Sequence, residues 1–237
     1  MPQAVSTIAT MAIWPGGQPW ALSAAPTWAD DAAATSARAD FVGEPASPDA
    51  RRIADWVVAV RDNAGLPFVI IDKVAAKVFV FDARGRLSGA APALLGLTRG
   101  DDTASGVGQR KLANIGPNER TTPAGRFVAS LGRDLGDKDV LWVDYSSGVA
   151  LHRVITTNPR EHRLQRLASP SPRDRRISYG CINVPAAFYD TVIDPAFAAS
   201  NGVVYILPET RPIEQVFVGF DLPAGRHATP TSSAKAP

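Results

Sequence analysis

The chain holds one cysteine, Cys181, within RISYGCINVP (residues 176–185), and three histidines, His152, His162 and His227. A thiol attacks a carbonyl carbon only as the thiolate, and its ordinary pKa is about 8.5. A working cysteine therefore wants a base or cation nearby, and N–H donors for the oxyanion of an acyl intermediate. Gly180 stands directly before Cys181, where the backbone can turn sharply and present N–H groups. His152 lies in SGVALHRVIT, with Ala150, His152 and Val154 on one face of a strand. A histidine held among apolar strand neighbours points in a fixed direction, as a general base must. His162 sits in the polar NPREHRLQR, which reads as a loop, and His227 in a tail of Pro, Ser and Thr. One cysteine excludes an intramolecular disulfide and a multi-cysteine zinc site. It leaves three readings: a small buried hydrophobe, half of an intermolecular disulfide, or a nucleophile. Residue types and spacing alone favour the first, because free cysteines are among the most buried side chains.

The elements that must position these residues begin at SPDARRIADWVVAVRDNAG. Ser47 or Asp49 can cap a helix there, Pro48 suits its first turn, and Gly65 supplies a stop. Ile53, Trp56, Val57 and Val60 fall at helical spacing on one face. From Pro67 the pattern shortens into β-type runs: FVIID, KVFVFD, RLSGAAPALLGLT, RFVASL, VLWVDY, GVALHRVIT and VVYIL. DKVAAK and DYSSGV read as hairpin connections. PAAFYDTVIDPAFAAS, before the last run, reads as a helix with Pro185 near its first turn. Trp56 and Trp142 take apolar-periodic positions and are assigned to the core. A mostly-β domain is expected over 66–210, with a helix over 48–65, a leader or flexible linker over 1–47, and a C-terminal extension and tail over 211–237.

Composition narrows the partners. The chain is 45% hydrophobic and 20% charged, an ordinary globular balance, and its net charge of +2 is too small to argue for nucleic-acid binding. No apolar run approaches the roughly 18 residues that span a bilayer. The N-terminal stretch carries no Lys or Arg before Arg38, and WPGGQPW interrupts its apolar part, so it matches signal-peptide criteria poorly. Trp14, Trp20 and Trp28 in that stretch read either as contacts with a membrane interface or as contacts with nothing.

Three segments in order resemble the L,D-transpeptidase (YkuD-like) catalytic domain of bacterial cell-wall enzymes. The family pattern is a histidine, a variable stretch, then Ser/Thr-His-Gly-Cys-apolar-Asn or Arg. Here it reads His152, then Ser178, Tyr179, Gly180, Cys181, Ile182 and Asn183. TTPAGRF (121–127) resembles the family's Thr-Pro-x-Gly-x-Phe segment, and PFVIIDKVAAKVFVFDARGRL resembles its opening hairpin. The resemblance covers about residues 66–208. It departs from the pattern at Tyr179, where histidine is usual, at Arg153, where glycine often follows the catalytic histidine, and in a longer gap before Ser178.

The resemblance implies a mostly-β sandwich or barrel with flanking helices and an inserted Arg-rich loop. It implies Cys181 as nucleophile and His152 as general base and acid, with Gly180 and Cys181 N–H groups as oxyanion donors. Ser178 would hold the loop or orient His152. Tyr179, Asn183, Arg153 and Arg176 would border the substrate. The implied substrate is a peptidoglycan stem peptide, acylated onto Cys181 and transferred to an amine, with no metal, nucleotide or other cofactor. Water as acceptor would make the chain an L,D-carboxypeptidase or amidase. A third reading is an inactive peptidoglycan-binding module. The implied location is the periplasm or cell envelope.

The insert RVITTNPREHRLQRLASPSPRDRR (153–176) carries seven arginines against Glu161 and Asp174, a balance of +5. It reads either as a lid attracting stem-peptide carboxylates or as a solvated surface loop. It has no interleaved aromatics for base stacking, which argues against a nucleic-acid groove.

Overall fold

A computed structural model describes residues 37–134, 136–217 and 219–220. Helix α1 (Pro48–Val60) opens on Ser47, whose side chain accepts a hydrogen bond from the Ala50 N–H. It ends at Arg61, which takes the left-handed conformation at φ 55°, so the helix stops four residues before Gly65. The buried face is Ala50, Ile53, Ala54 and Val57. It is rotated toward the N-terminus relative to the sequence reading, because two alanines pack where Trp56 and Val60 were expected. Burial of Ile53 and Val57 contributes about 1.5–3 kcal/mol each. Trp56 is half-buried and meets Tyr205 and Phe220 edge-on.

Ten strands follow: β1 (Phe68–Asp72), β2 (Lys77–Phe81), β3 (Leu87–Pro92), β4 (Leu95–Gly96), β5 (Gly125–Arg133), β6 (Asp139–Asp144), β7 (Val149–Arg153), β8 (Arg176–Ser178), β9 (Ile182–Val184) and β10 (Gly202–Ile206). Eight of them form one mixed sheet in the order β3-β2-β1-β10-β5-β6-β7-β9, while β4 and β8 pair separately. Beyond β3 the chain meets β9 through reciprocal Leu94–Asn183 backbone hydrogen bonds of 2.8 and 2.9 Å, so the two edges of the sheet approach and nearly close a barrel.

Alternation along the strands builds two cores. Val69, Ile71, Val78, Val80, Val204 and Ile206 face one, with Tyr189, Ile193 and Phe197 packed on them. Phe68, Ile70, Phe79, Phe81, Val203 and Tyr205 face the other, against α1 and Ile213, Phe217 and Phe220. Strands β1 and β10 are therefore buried on both faces, which is why they read as continuous apolar runs. Strands β6, β7 and β9 commit one face to the first core, through Leu141, Val143, Val149, Leu151, Ile182 and Val184. Their opposite face carries Trp142, Ala150, His152 and Asn183.

Several expectations shift. The mostly-β architecture with flanking helices holds. The leader reading stops short: Phe41 is buried against Phe79 and Phe81, and Asp40 bridges Arg86, so packing begins before Pro48. The C-terminal extension likewise contributes Ile213, Phe217 and Phe220 to the core. Trp142 is not core; it stacks on Tyr145 at 4.5 Å on the outer face. The run RLSGAAPALLGLT divides into β3 and β4. The expected single helix after Pro185 is Ala186–Phe188, a π turn at Tyr189–Ile193, then Asp194–Phe197. Pro195 lacks an N–H for the ordinary ladder, and the wider turn falls just before it. The Arg-rich insert is also more ordered than a loop. It holds α2 (Arg163–Ala168) between single turns at Pro159–Glu161 and Pro172–Arg175. Trp14, Trp20, Trp28 and His227 lie outside the described residues.

Candidate active site

His152 lies on β7, and Cys181 stands immediately before β9, the parallel neighbour of β7. β7 and β9 pair Leu151 with Ile182 and His152 with Asn183. Asn183 thus stands directly beside His152, and Cys181 comes two residues earlier in the chain.

The turn that carries the thiol is heavily braced. Ser178 Oγ donates to the Cys181 carbonyl at 2.6 Å and accepts from the Gly180 N–H at 3.1 Å. Thr122 Oγ1 donates to the Gly180 carbonyl at 2.8 Å and accepts from the Gly96 N–H at 2.9 Å. Gly180 has φ +130°, and a Cβ there would stand 2.8 Å from the Thr121 carbonyl oxygen. Only glycine suits both conditions. The Gly180 N–H, expected as an oxyanion donor, is instead committed to Ser178. Ser178 holds the turn and makes no hydrogen bond to His152.

Behind Thr122 sits a buried charge cluster. Lys73 Nζ donates to the Thr122 carbonyl at 2.8 Å and to Asp101 at 2.7 Å. Burial lowers the Lys73 pKa against the pull of Asp101. Burial opposes ionisation of Asp101 too, but hydrogen bonds from Lys73, Thr210 and the Glu209 N–H outweigh it and hold the carboxyl well below its usual range. The TTPAGRF segment is thereby tied to the fold on one side and to the cysteine turn on the other.

Cys181 is half-buried and its Sγ lies 3.6 Å from the Gly148 carbonyl. Burial pushes the thiol up, while the Ala150 backbone and the Arg163 charge pull it back. His152 Nδ1 lies 2.7 Å from the Arg153 carbonyl, and its Nε2 lies 3.3 Å from Asn183 Nδ2. Burial lowers the His152 pKa; the hydrogen bond to the Arg153 carbonyl raises it, and the Arg163 charge lowers it further. Thiol and imidazole are both disposed to be neutral at rest, and no hydrogen bond joins them among the described residues.

The residues expected to border the substrate are largely engaged within the fold. The Tyr179 ring lies under the Arg120 guanidinium at 4.0 Å, so the position usually held by histidine is a packing position here. Asn183 is buried, and its carboxamide spans Arg163 and His152. Arg153 binds Asp190 at 2.6 Å and covers Tyr189 at 4.3 Å. Arg176 grips Glu209 through both ends of its guanidinium and donates to the Lys73 carbonyl at 2.7 Å. It braces β8 in place of meeting a substrate. His162 is exposed at the start of α2, away from this chemistry.

The insert's charge is spent in the same way. Arg166 donates to the Glu161 and Asp174 carbonyls, and Arg175 to those of Ala75, Ala76 and Ser169. Arg160 and Arg173 are exposed, and their guanidiniums remain for solution ligands. Sequence reasoning missed Arg163 and Thr122 as site residues. Arg163 was one arginine of seven, and Thr122 lay in a quoted motif with no stated role. A cavity of about 320 Å³ opens beside His152, lined by Asp134, Lys138, Asp139 and Arg153 among others. Cys181 does not line it. Among the described residues no cluster of His, Cys, Asp and Glu could hold a metal ion.

No protein-family model and no curated protein matches the chain. Among solved structures, the L,D-transpeptidase LdtMt1 in complex with imipenem aligns at 17% identity and TM-score 0.33, covering 60% of this chain and 58% of that one. An L,D-transpeptidase from Xylanimonas cellulosilytica aligns at 18% and 0.36, covering 60% of each chain. The helical cell shape determining protein Pgp2 from Campylobacter jejuni aligns at 12% and 0.40, covering 62% of this chain and 49% of that one. The chain thus spans about half to three-fifths of these proteins. These are distant likenesses, and the chemical reading rests on the chain's own residues.

Proposed function

We propose that the chain is a cysteine-dependent L,D-transpeptidase that acts on peptidoglycan stem peptides in the periplasm or cell envelope. The observation that carries this reading is the hydrogen bond from Thr122 to the Gly180 carbonyl. It joins TTPAGRF to SYGCIN, two segments that resembled the family separately, at the turn bearing the thiol. His152, paired with Asn183 two residues beyond Cys181, supports the same reading.

In the reaction, Cys181 passes its proton to His152 and attacks the carbonyl of the L-configured centre of a diamino-acid residue. The tetrahedral intermediate collapses as His152 returns the proton to the departing D-alanine amine, leaving a thioester on Cys181. An amine of a second stem peptide then attacks the thioester, His152 takes its proton, and the thiol is regenerated with a new amide bond. No helix among the described residues is long and apolar enough to cross a membrane, and export is part of the proposal.

One second reading is a peptidoglycan-binding module without turnover, in which Tyr179 keeps a packing role under Arg120. Incubation with muropeptides and mass analysis separates the two. Cross-linked dimers that vanish in Cys181→Ala support the transpeptidase. Tripeptide without dimers moves the acceptor to water, and binding without any Cys181-dependent product leaves the module.

A further inference from the structure

Arg163 reaches from the insert into the site. Its Nε pairs with Glu161 at 2.5 Å, and its Nη1 donates to Asn183 Oδ1 at 2.5 Å. The guanidinium is nearly buried, with 11% of its side chain exposed, so this contact is a fixed one. Arginine has only donors. The Asn183 oxygen must therefore face Arg163, and the Asn183 amino group must face His152 Nε2. An amino group is a donor as well, so Nε2 has to be the acceptor. The other side of the ring agrees: the Arg153 carbonyl beside Nδ1 accepts only, so Nδ1 carries the hydrogen.

We propose that Arg163 is a positioning residue, which locks the Asn183 carboxamide and thereby holds His152 as the Nδ1–H tautomer with its lone pair on Nε2, ready to take the Cys181 proton. In that step the S–H bond breaks, an N–H bond forms at Nε2, and thiolate and imidazolium result with no other reactant. The 3.3 Å contact from Asn183 is a long hydrogen bond, so it guards the lone pair without holding it tightly. The catalytic meaning of this arrangement rests on the cysteine–histidine reading above. The tautomer itself does not.

Removing the Arg163 donors frees Asn183 to rotate and offer its oxygen to Nε2. An imidazolium would then donate at both ends, to the Arg153 carbonyl and to Asn183. Loss of the cationic charge favours the imidazolium as well. The other charges acting on the ring, Asp134 and Lys138 from the β5–β6 turn, pull in opposite directions and stay in place. The arrangement places the insert inside the site, as the source of a proton-state control that the thiol turn alone does not supply.

The test is a nitrogen-15 histidine spectrum, in which three histidines give a resolvable set, with pH titration of His152. In the full chain the His152 signals should show the Nδ1–H tautomer. Arg163→Met should raise the His152 midpoint by about one unit or more, as loss of a like charge and gain of an acceptor both dictate. Arg163→Lys, which keeps a charge and a donor, should shift it much less, and the exposed Arg160→Met should leave it unchanged. Asn183→Asp, with Arg163 intact, should raise it too, because a carboxylate oxygen then faces Nε2. This second variant keeps the proposal testable if Arg163→Met folds poorly. An Nε2–H tautomer in the unmodified chain, or an unmoved midpoint in folded Arg163→Met, overturns it. These readouts need no peptidoglycan, so failure of the transpeptidase reading and failure of this proposal are distinguishable.

Discussion

Replacing Thr122 by valine removes one oxygen and keeps the shape of the side chain. That oxygen is fully buried and makes two hydrogen bonds, accepting from the Gly96 N–H and donating to the Gly180 carbonyl. Valine leaves a backbone donor and a backbone acceptor unpaired, each away from water. A buried group left unsatisfied costs about 1–3 kcal/mol, and some relaxation at Gly180 is available, so the expected loss is about 2–4 kcal/mol. For a chain of this size that corresponds to a fall in Tm of roughly 5–15 °C. Thr121→Val is the internal control: its hydroxyl makes a single exposed bond to the Asp102 carbonyl, and the change should stay within about 0.5 kcal/mol. Thermal and urea unfolding of both variants measure the difference. The Cys181 turn should also loosen in Thr122→Val, so alkylation of the thiol by iodoacetamide should change at constant pH. Equal stability of the two variants would refute the claim that Thr122 clamps the cysteine turn.

Gly180→Ala should abolish the native turn, since the added Cβ meets the Thr121 carbonyl at 2.8 Å and φ +130° disfavours any side chain; soluble yield and thiol alkylation report it. Lys73→Met strands Asp101 without its buried cation and should cost about 3–5 kcal/mol in urea unfolding, whereas Arg86→Met, at an exposed pair, should cost under about 1 kcal/mol. Burial raises the Cys181 thiol above its ordinary value, so below that raised value the thiolate fraction is smaller than in a free cysteine. The alkylation rate should keep rising with pH beyond about 8.5 instead of levelling there, and a plateau near 7 would contradict the neutral resting pair.

How much of this was legible in the chain depends on the range of the interaction. Hairpins at DKVAAK and DYSSGV follow from local turn chemistry and alternating strands, and both lie where the residues predict them. Helix α1 also declares itself locally, through Ser47 and Pro48. Its buried face does not, because alanine carries little hydrophobic signal and which alanine packs depends on the sheet beneath. Phe41 could not be read as core, since one aromatic in ADFVGEP has no period and finds Phe79 and Phe81 only through the tertiary fold. Strands β8 and β9 are three residues each and flank a glycine turn, too short for alternation to register. Cys181 and His152 stand out in the sequence because a motif marks them. Their side-chain states were not, because those depend on partners 20 and 31 residues apart in the chain.

The charge of the insert shows why a count of arginines is a poor guide to what they do. A balance of +5 suggests a field acting on solution carboxylates, and that inference assumes the guanidiniums face water. Five of the seven have partners in the fold: Arg153, Arg163, Arg166, Arg175 and Arg176 each donate to a carboxylate, an amide or a carbonyl. A carbonyl acceptor satisfies an arginine without neutralising it, so the charge persists while its donors are used up. Arg163 is instead paired with Glu161, yet its charge still acts on both Cys181 and His152. One cation lowers the pKa of both groups: it favours the thiolate and disfavours the imidazolium. These effects oppose each other in forming the ion pair, and the second alone favours an unprotonated imidazole. A long segment inserted between His152 and Cys181 therefore does not have to be a cover over the cleft to matter to the chemistry. It changes the protonation balance of the two residues it separates, and substitution of exposed Arg160 or Arg173 should leave that balance alone while substitution of Arg163 should not.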